Sequence, residues 1–102
     1  MSKVTYIKNK KEIDDFTKNK KAIIFYSAKY CPACIDIKPL YSRIANRYGD
    51  KIAFSIVDIE EARVQLDTVP VFEGHYRERC IKMEGVDTRS LKQFIAAVIN
   101  EK

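Results

Sequence analysis

A chain of 102 residues, 46% hydrophobic and 32% charged, has the size and balance of one globular domain with a single core, which excludes a disordered chain. It contains no apolar run near the roughly 20 residues that cross a bilayer, and Met1 to Lys8 is too short and too polar for a secretory leader, so no membrane association and a cytoplasmic location are expected. The net charge of +5 draws on Lys3, Lys8, Lys10, Lys11, Lys18, Lys20 and Lys21, but Glu12, Asp14 and Asp15 interrupt this run and no aromatic residues interleave it, which favours a solvated surface over a nucleic-acid partner.

In chain order, Val4 to Ile7 is a short strand candidate. Asn9 followed by Glu12 forms a capping-box pattern, and Ile13 with Phe16 gives the following helix a short apolar face. Ala22 to Tyr26 is a continuous β-prone apolar run, the mark of a central strand buried on both faces. After Cys31, the residues Ile37, Leu40, Tyr41, Ile44 and Tyr48 recur at the spacing of one buried helical stripe. Pro39 falls inside that helix and Gly49 is placed to cap its end. Ile52 to Ile59 reads as a second buried strand, and Glu60 to Leu66 as a short helix. Val71 to Glu73 and Arg79 to Glu84 flank Gly74-His75, which predicts a hairpin turn there. A last helix, capped by Asp87 or Thr88, carries the stripe Leu91, Phe94, Ile95, Val98 and Ile99. Alternating elements followed by a hairpin imply an α/β fold: a mixed central sheet of about five strands with helices on both faces. No repeat, linker or low-complexity tract divides residues 1–102, so a single domain is expected.

Three cysteines in a chain of this kind are not a disulfide framework. Cys31 and Cys34 stand at C-x-x-C spacing, which serves either zinc or redox chemistry. Zinc needs further ligands, and Cys80 and His75 are the remaining candidates, but their spacing matches no zinc motif. The setting favours redox, because the motif follows a buried strand and opens a helix. Unsatisfied N–H groups and the macrodipole at a helix N-terminus favour thiolate over thiol. Cys31, at the helix edge, would attack a substrate disulfide. Cys34, one turn in, would resolve the mixed disulfide. Pro32 removes a backbone donor beside the thiols and fixes the turn. Lys29 and Lys38 add positive charge nearby. Cys80 reads as a core or surface thiol, and His75 as an exposed turn residue.

With these residues in order, the sequence resembles the thioredoxin family over nearly its whole length. Tyr30-Cys31-Pro32-Ala33-Cys34 matches an aromatic residue followed by the family's dithiol. Pro39 matches its helix proline, Val57-Asp58-Ile59-Glu60 its third strand, Thr68-Val69-Pro70 its cis-proline loop, and Gly85 its glycine before the final helix. The resemblance implies the thioredoxin fold, a cis Pro70 that shapes the substrate groove, and a Val69 backbone that pairs with extended substrate. Tyr30 would cover the dithiol and contact substrate, and the Pro32-Ala33 pair would contact substrate and tune the thiolate. The sequence departs from the family where a buried Asp and Lys usually lie beneath the second cysteine. Those places hold Phe25 and Ile56. Ser27 stands where the family often has Trp, and the segment from Glu60 to Pro70 is short. Gly74 and Gly85 are both single, so no glutathione-binding Gly-Gly pair is present. The expected activity is reduction or exchange of disulfides in protein substrates, without cofactor or metal, with a separate disulfide reductase as electron donor. The competing reading is a redox-weak binding or chaperone-like module on the same fold.

Overall fold

The computed structural model describes residues 3–19, 21–85 and 87–101, so Met1, Ser2 and Lys20 of the lysine-rich start lie outside the described residues. The elements are β1 (Val4–Ile7), α1 (Lys10–Phe16), β2 (Lys21–Ser27), α2 (Pro32–Tyr48), β3 (Ala53–Asp58), β4 (Val71–Tyr76), β5 (Arg79–Glu84) and α3 (Thr88–Asn100). One five-stranded sheet runs in the order β1-β3-β2-β4-β5. β3 pairs in parallel with both β1 and β2, whereas β4 is antiparallel to both β2 and β5. The expected mixed sheet is therefore present, with β2 at its centre.

Local chemistry explains most boundaries. The Asn9 side chain accepts the Glu12 N–H at 2.8 Å and Glu12 reaches back to the Lys8 N–H at 2.9 Å, so the capping box closes one residue early. Asp87, not Thr88, is the N-cap of α3, accepting from the Arg89 N–H. Gly49 follows α2 as expected but in right-handed helical conformation.

The sheet separates two apolar layers. On one face the buried Phe25 stacks on Phe72 at 4.7 Å, and Tyr41 of α2 meets Phe25 edge-on at 5.2 Å and Phe54 at 5.6 Å. Such aromatic pairs contribute about 0.5–1.5 kcal/mol each beyond the area they bury. Tyr41 is fully buried, yet its hydroxyl donates to the Ser55 carbonyl at 2.7 Å, so its polar tip is satisfied. α3 covers the same face through Leu91, Ile95 and Val98. Tyr26 points to the opposite face, where it feels the charge of Asp14 on α1.

Two expectations are corrected. Residues 60–66 form no helix. The Asp58 carboxylate accepts the Glu60 and Glu61 N–H groups and starts a turn, and Arg63 at φ +58° ends it at once. The Val64 N–H to Ile59 carbonyl and Arg63 N–H to Glu60 carbonyl bonds close it as a Schellman motif. The hairpin turn lies at Arg77-Glu78, not Gly74-His75. Both turn residues have positive φ, +48° and +67°, as a two-residue type I′ loop requires. Gly74 instead sits inside β4, where a Cβ would come within 2.6 Å of Val98 on α3. Its missing side chain serves helix–sheet packing rather than a turn.

A dithiol at the head of α2 as the candidate functional site

The loop from Ala28 to Tyr30 carries the chain from the end of β2 to the start of α2. Cys31 is the N-cap of α2, with extended backbone angles, and Pro32 follows at the first helical position. In place of an oxygen, the cap supplies sulfur. Cys31 Sγ accepts the Cys34 N–H at 3.1 Å. A backbone donor therefore already points at the atom on which negative charge would develop. From the other side, the Cys31 thiol donates to the Val69 carbonyl at 3.8 Å. The Val69–Pro70 bond is cis, as the resemblance implies. The Gly85 N–H donates to the Pro70 carbonyl at 3.1 Å, and Gly85 itself has φ +84°, which favours glycine. The glycine before α3 thus ties the end of β5 to the cis-proline loop.

Both cysteines are free thiols, but they sit differently. Cys34 is fully enclosed, whereas Cys31 keeps 7% of its surface exposed. Burial pushes the Cys34 thiol up to about 11, and its hydrogen bond with the Cys31 thiol acts in the same direction. The Ala28 backbone and the Ser27 side chain pull it back by hydrogen-bonding. Ser27 is itself 3% exposed. Beneath the dithiol, Phe25 and Ile56 are buried register partners on β2 and β3, so no carboxylate–lysine pair occupies those two places.

The other sequence-predicted residues surround this pair. Tyr30 is 67% exposed beside Cys31, Pro32 is exposed, Ala33 and Val69 are half-buried, and Pro70 is buried. The periodicity missed two neighbours. Ser27 ends the apolar run of β2, and its alternation with Phe25 was the available signal. Ile35 lies outside the buried stripe of α2 and is 56% exposed one residue after Cys34.

Cys80 and His75 are not brought to the dithiol. They are register partners on β5 and β4, opposite Ala22 at the far end of β2. Ser27 lies five residue steps along β2 from Ala22, about 16 Å at the usual rise. The four-ligand Cys/His zinc site open to the sequence is therefore not assembled. His75 is also not an exposed turn residue: it is half-buried inside β4, with Nε2 3.0 Å from Glu73 Oε1. Burial raises the Glu73 carboxyl, but His75, the Tyr26 hydroxyl and Lys82 outweigh it and leave the group below its ordinary value. A cavity of about 580 Å³ lies between α2 and α3, lined in part by Arg43, Arg47, Lys51 and Lys92, and neither cysteine of the dithiol borders it. Among the described residues, no helix is long and apolar enough to cross a membrane.

Comparison with known proteins agrees with this geometry. The thioredoxin family model matches residues 3–97. Thioredoxin-3 of Dictyostelium discoideum is 26% identical over 77 residues, which cover 71% of this chain and 73% of that protein. The solved thioredoxin of Malassezia sympodialis superposes with a TM-score of 0.84 at 25% identity, over 94% of this chain and 93% of its own. Plasmodium falciparum thioredoxin superposes with a TM-score of 0.82 at 22% identity, over 91% and 97% of the two chains, a likeness of fold. A dithiol capping α2, a cis-proline loop facing it, and a family match over nearly all of the chain lead to one conclusion: this chain belongs to the thioredoxin family.

Proposed function

We propose that the protein is a thiol–disulfide oxidoreductase that reduces or exchanges disulfides in protein substrates. The observation that carries this reading is the placement of Cys31 Sγ between the Cys34 N–H at 3.1 Å and the Val69 carbonyl at 3.8 Å. One contact supplies a donor for negative charge on sulfur. The other puts the backbone that would hold a substrate strand beside the reacting atom.

In the forward direction, the Cys31 thiolate attacks one sulfur of a substrate disulfide. A Cys31–substrate bond forms, the substrate S–S bond breaks, and the leaving thiolate takes a proton from solvent. Cys34 then loses its proton to water and attacks Cys31 Sγ. The second substrate thiol departs, and the Cys31–Cys34 disulfide holds the two-electron oxidation. A separate disulfide reductase, whose electrons return the pair to dithiol, completes the cycle, and this part of the proposal rests on family membership. Tyr30, Pro32, Ala33, Val69 and Pro70 form the substrate-facing rim, to which the exposed Ile35 adds apolar surface. The three-cysteine composition supports a reducing compartment such as the cytoplasm.

Turnover of insulin disulfides by dithiothreitol tests the reading. The wild-type protein accelerates the reaction and Cys31→Ser does not. Equal rates for the two would favour the second reading, a redox-weak binding module. That reading draws on the apolar Phe25 and Ile56 beneath the dithiol.

A further inference from the structure

We infer that Glu73, His75 and Cys80 form a second functional site, a three-ligand site for a zinc-class divalent cation on the β4–β5 hairpin. It is separate from the dithiol and does not depend on the redox reading. The hairpin register builds it. His75 and Cys80 are directly paired, and Glu73 lies two residues before His75 on the same face of β4. One carboxylate oxygen, one imidazole nitrogen and one sulfur lie within 4.8 Å of one another.

The distances suit a single small cation. Zinc bound at its usual lengths to oxygen, nitrogen and sulfur, with tetrahedral angles, would hold N and O about 3.3 Å apart and N and S about 3.6 Å apart. Here His75 Nε2 is 3.0 Å from Glu73 Oε1 and 3.8 Å from Cys80 Sγ. These two separations need adjustments of a few tenths of an ångström, and the Glu73 oxygen and Cys80 sulfur, which lie within 4.8 Å of one another, close to about 3.6 Å around the cation by rotation of the exposed Cys80 side chain.

The chemistry of the set is also selective. Imidazole, thiolate and carboxylate together suit zinc rather than magnesium or calcium, which take oxygen ligands. Binding displaces the Cys80 proton to solvent and uses neutral His75. The thiolate and the Glu73 carboxylate then balance the two charges of the cation. The surroundings hold the carboxylate in place. The Tyr26 hydroxyl donates to Glu73 Oε1 at 3.1 Å, and Lys82 Nζ lies 3.6 Å from Oε2. Both contacts fix the carboxylate with Oε1 towards His75, as outer partners of a metal ligand do. Three protein ligands leave a fourth position for water or an incoming group. Cys80 is exposed, so solvent reaches the site.

Cobalt(II) titration tests the assignment, because thiolate-to-cobalt charge transfer gives a near-ultraviolet band. The Cys31→Ser/Cys34→Ser protein is used, in which Cys80 is the one remaining thiol of the three. The site predicts a saturable band at one equivalent that zinc(II) bleaches. A further Cys80→Ser change abolishes it. His75→Ala and Glu73→Gln, each confirmed as folded by circular dichroism, weaken binding at least as much as the roughly tenfold to hundredfold loss that follows removal of an outer partner. Tyr26→Phe falls within that outer-partner range. A band that fails to saturate, or an affinity unchanged by either His75→Ala or Glu73→Gln, would overturn the inference. Neither result bears on insulin turnover, so this site and the dithiol succeed or fail separately.

Discussion

The backbone N–H of Cys34 donates to the sulfur of Cys31 at 3.1 Å, while the sulfur of Cys34 itself lies fully buried. One residue thus does two opposed things. Its amide favours charge on the outer sulfur, and its enclosed side chain resists charge on the inner one. This asymmetry divides the proposed labour between attack and resolution.

The first prediction concerns the inner thiol. With Cys34 held near 11, the group is a thiol across the physiological range. Its thiolate fraction rises about tenfold with each pH step below that value. Carbon-13 NMR of the cysteine Cβ atoms in the reduced protein should show one cysteine titrating near 11 that disappears in Cys34→Ser. A Cys34 midpoint near the ordinary thiol value of 9.0 would contradict the burial argument.

Ser27 supplies the second. Its side chain is one of two groups that lower the Cys34 thiol against burial. Ser27→Ala should slow release of substrate from the Cys31 mixed disulfide roughly tenfold, the effect of losing a hydrogen bond to charge worth about 1.5 kcal/mol. Ser27→Thr, which keeps the hydroxyl, should restore the rate. The initial attack by Cys31 should be unchanged in both, as rapid-mixing kinetics would show.

Gly74 gives a prediction about stability alone. A Cβ there would meet Val98 Cγ2 at 2.6 Å and Ile81 Cγ1 at 3.2 Å. Gly74→Ala forces α3 away from the sheet, and such overpacking costs about 1–3 kcal/mol. Urea unfolding should show a lower midpoint with an unchanged slope.

Much of this was legible from residue patterns. β2 and α2 announce themselves because an unbroken apolar run and a helical stripe each have one good packing solution. The dithiol was legible because C-x-x-C between those two elements forces the first cysteine onto a helix cap. The hairpin was harder. Arg77-Glu78 carries no glycine or asparagine, so the usual chemistry of positive-φ turns is absent, and Gly74 drew the turn towards itself. That error hid the cluster at Glu73, His75 and Cys80, which exists only in the true register. Residues 60–66 look helical because their side chains permit it, but Arg63 in the left-handed region stops the turn, and nothing in arginine's propensity foretells that. Ser27 was visible as a departure from the family, but its link to Cys34 joins the end of β2 to the first turn of α2, a contact between separate elements.

Trapping the mixed disulfide tests whether Cys31 is the attacking thiol. Cys34→Ser and Cys31→Ser proteins are incubated with a disulfide-bonded peptide, and the adduct is located by mass spectrometry. A stable adduct should form on Cys31 in the Cys34→Ser protein and none on Cys34 in the Cys31→Ser protein. An adduct confined to Cys80, or one that forms equally well on Cys34, would contradict that role for Cys31.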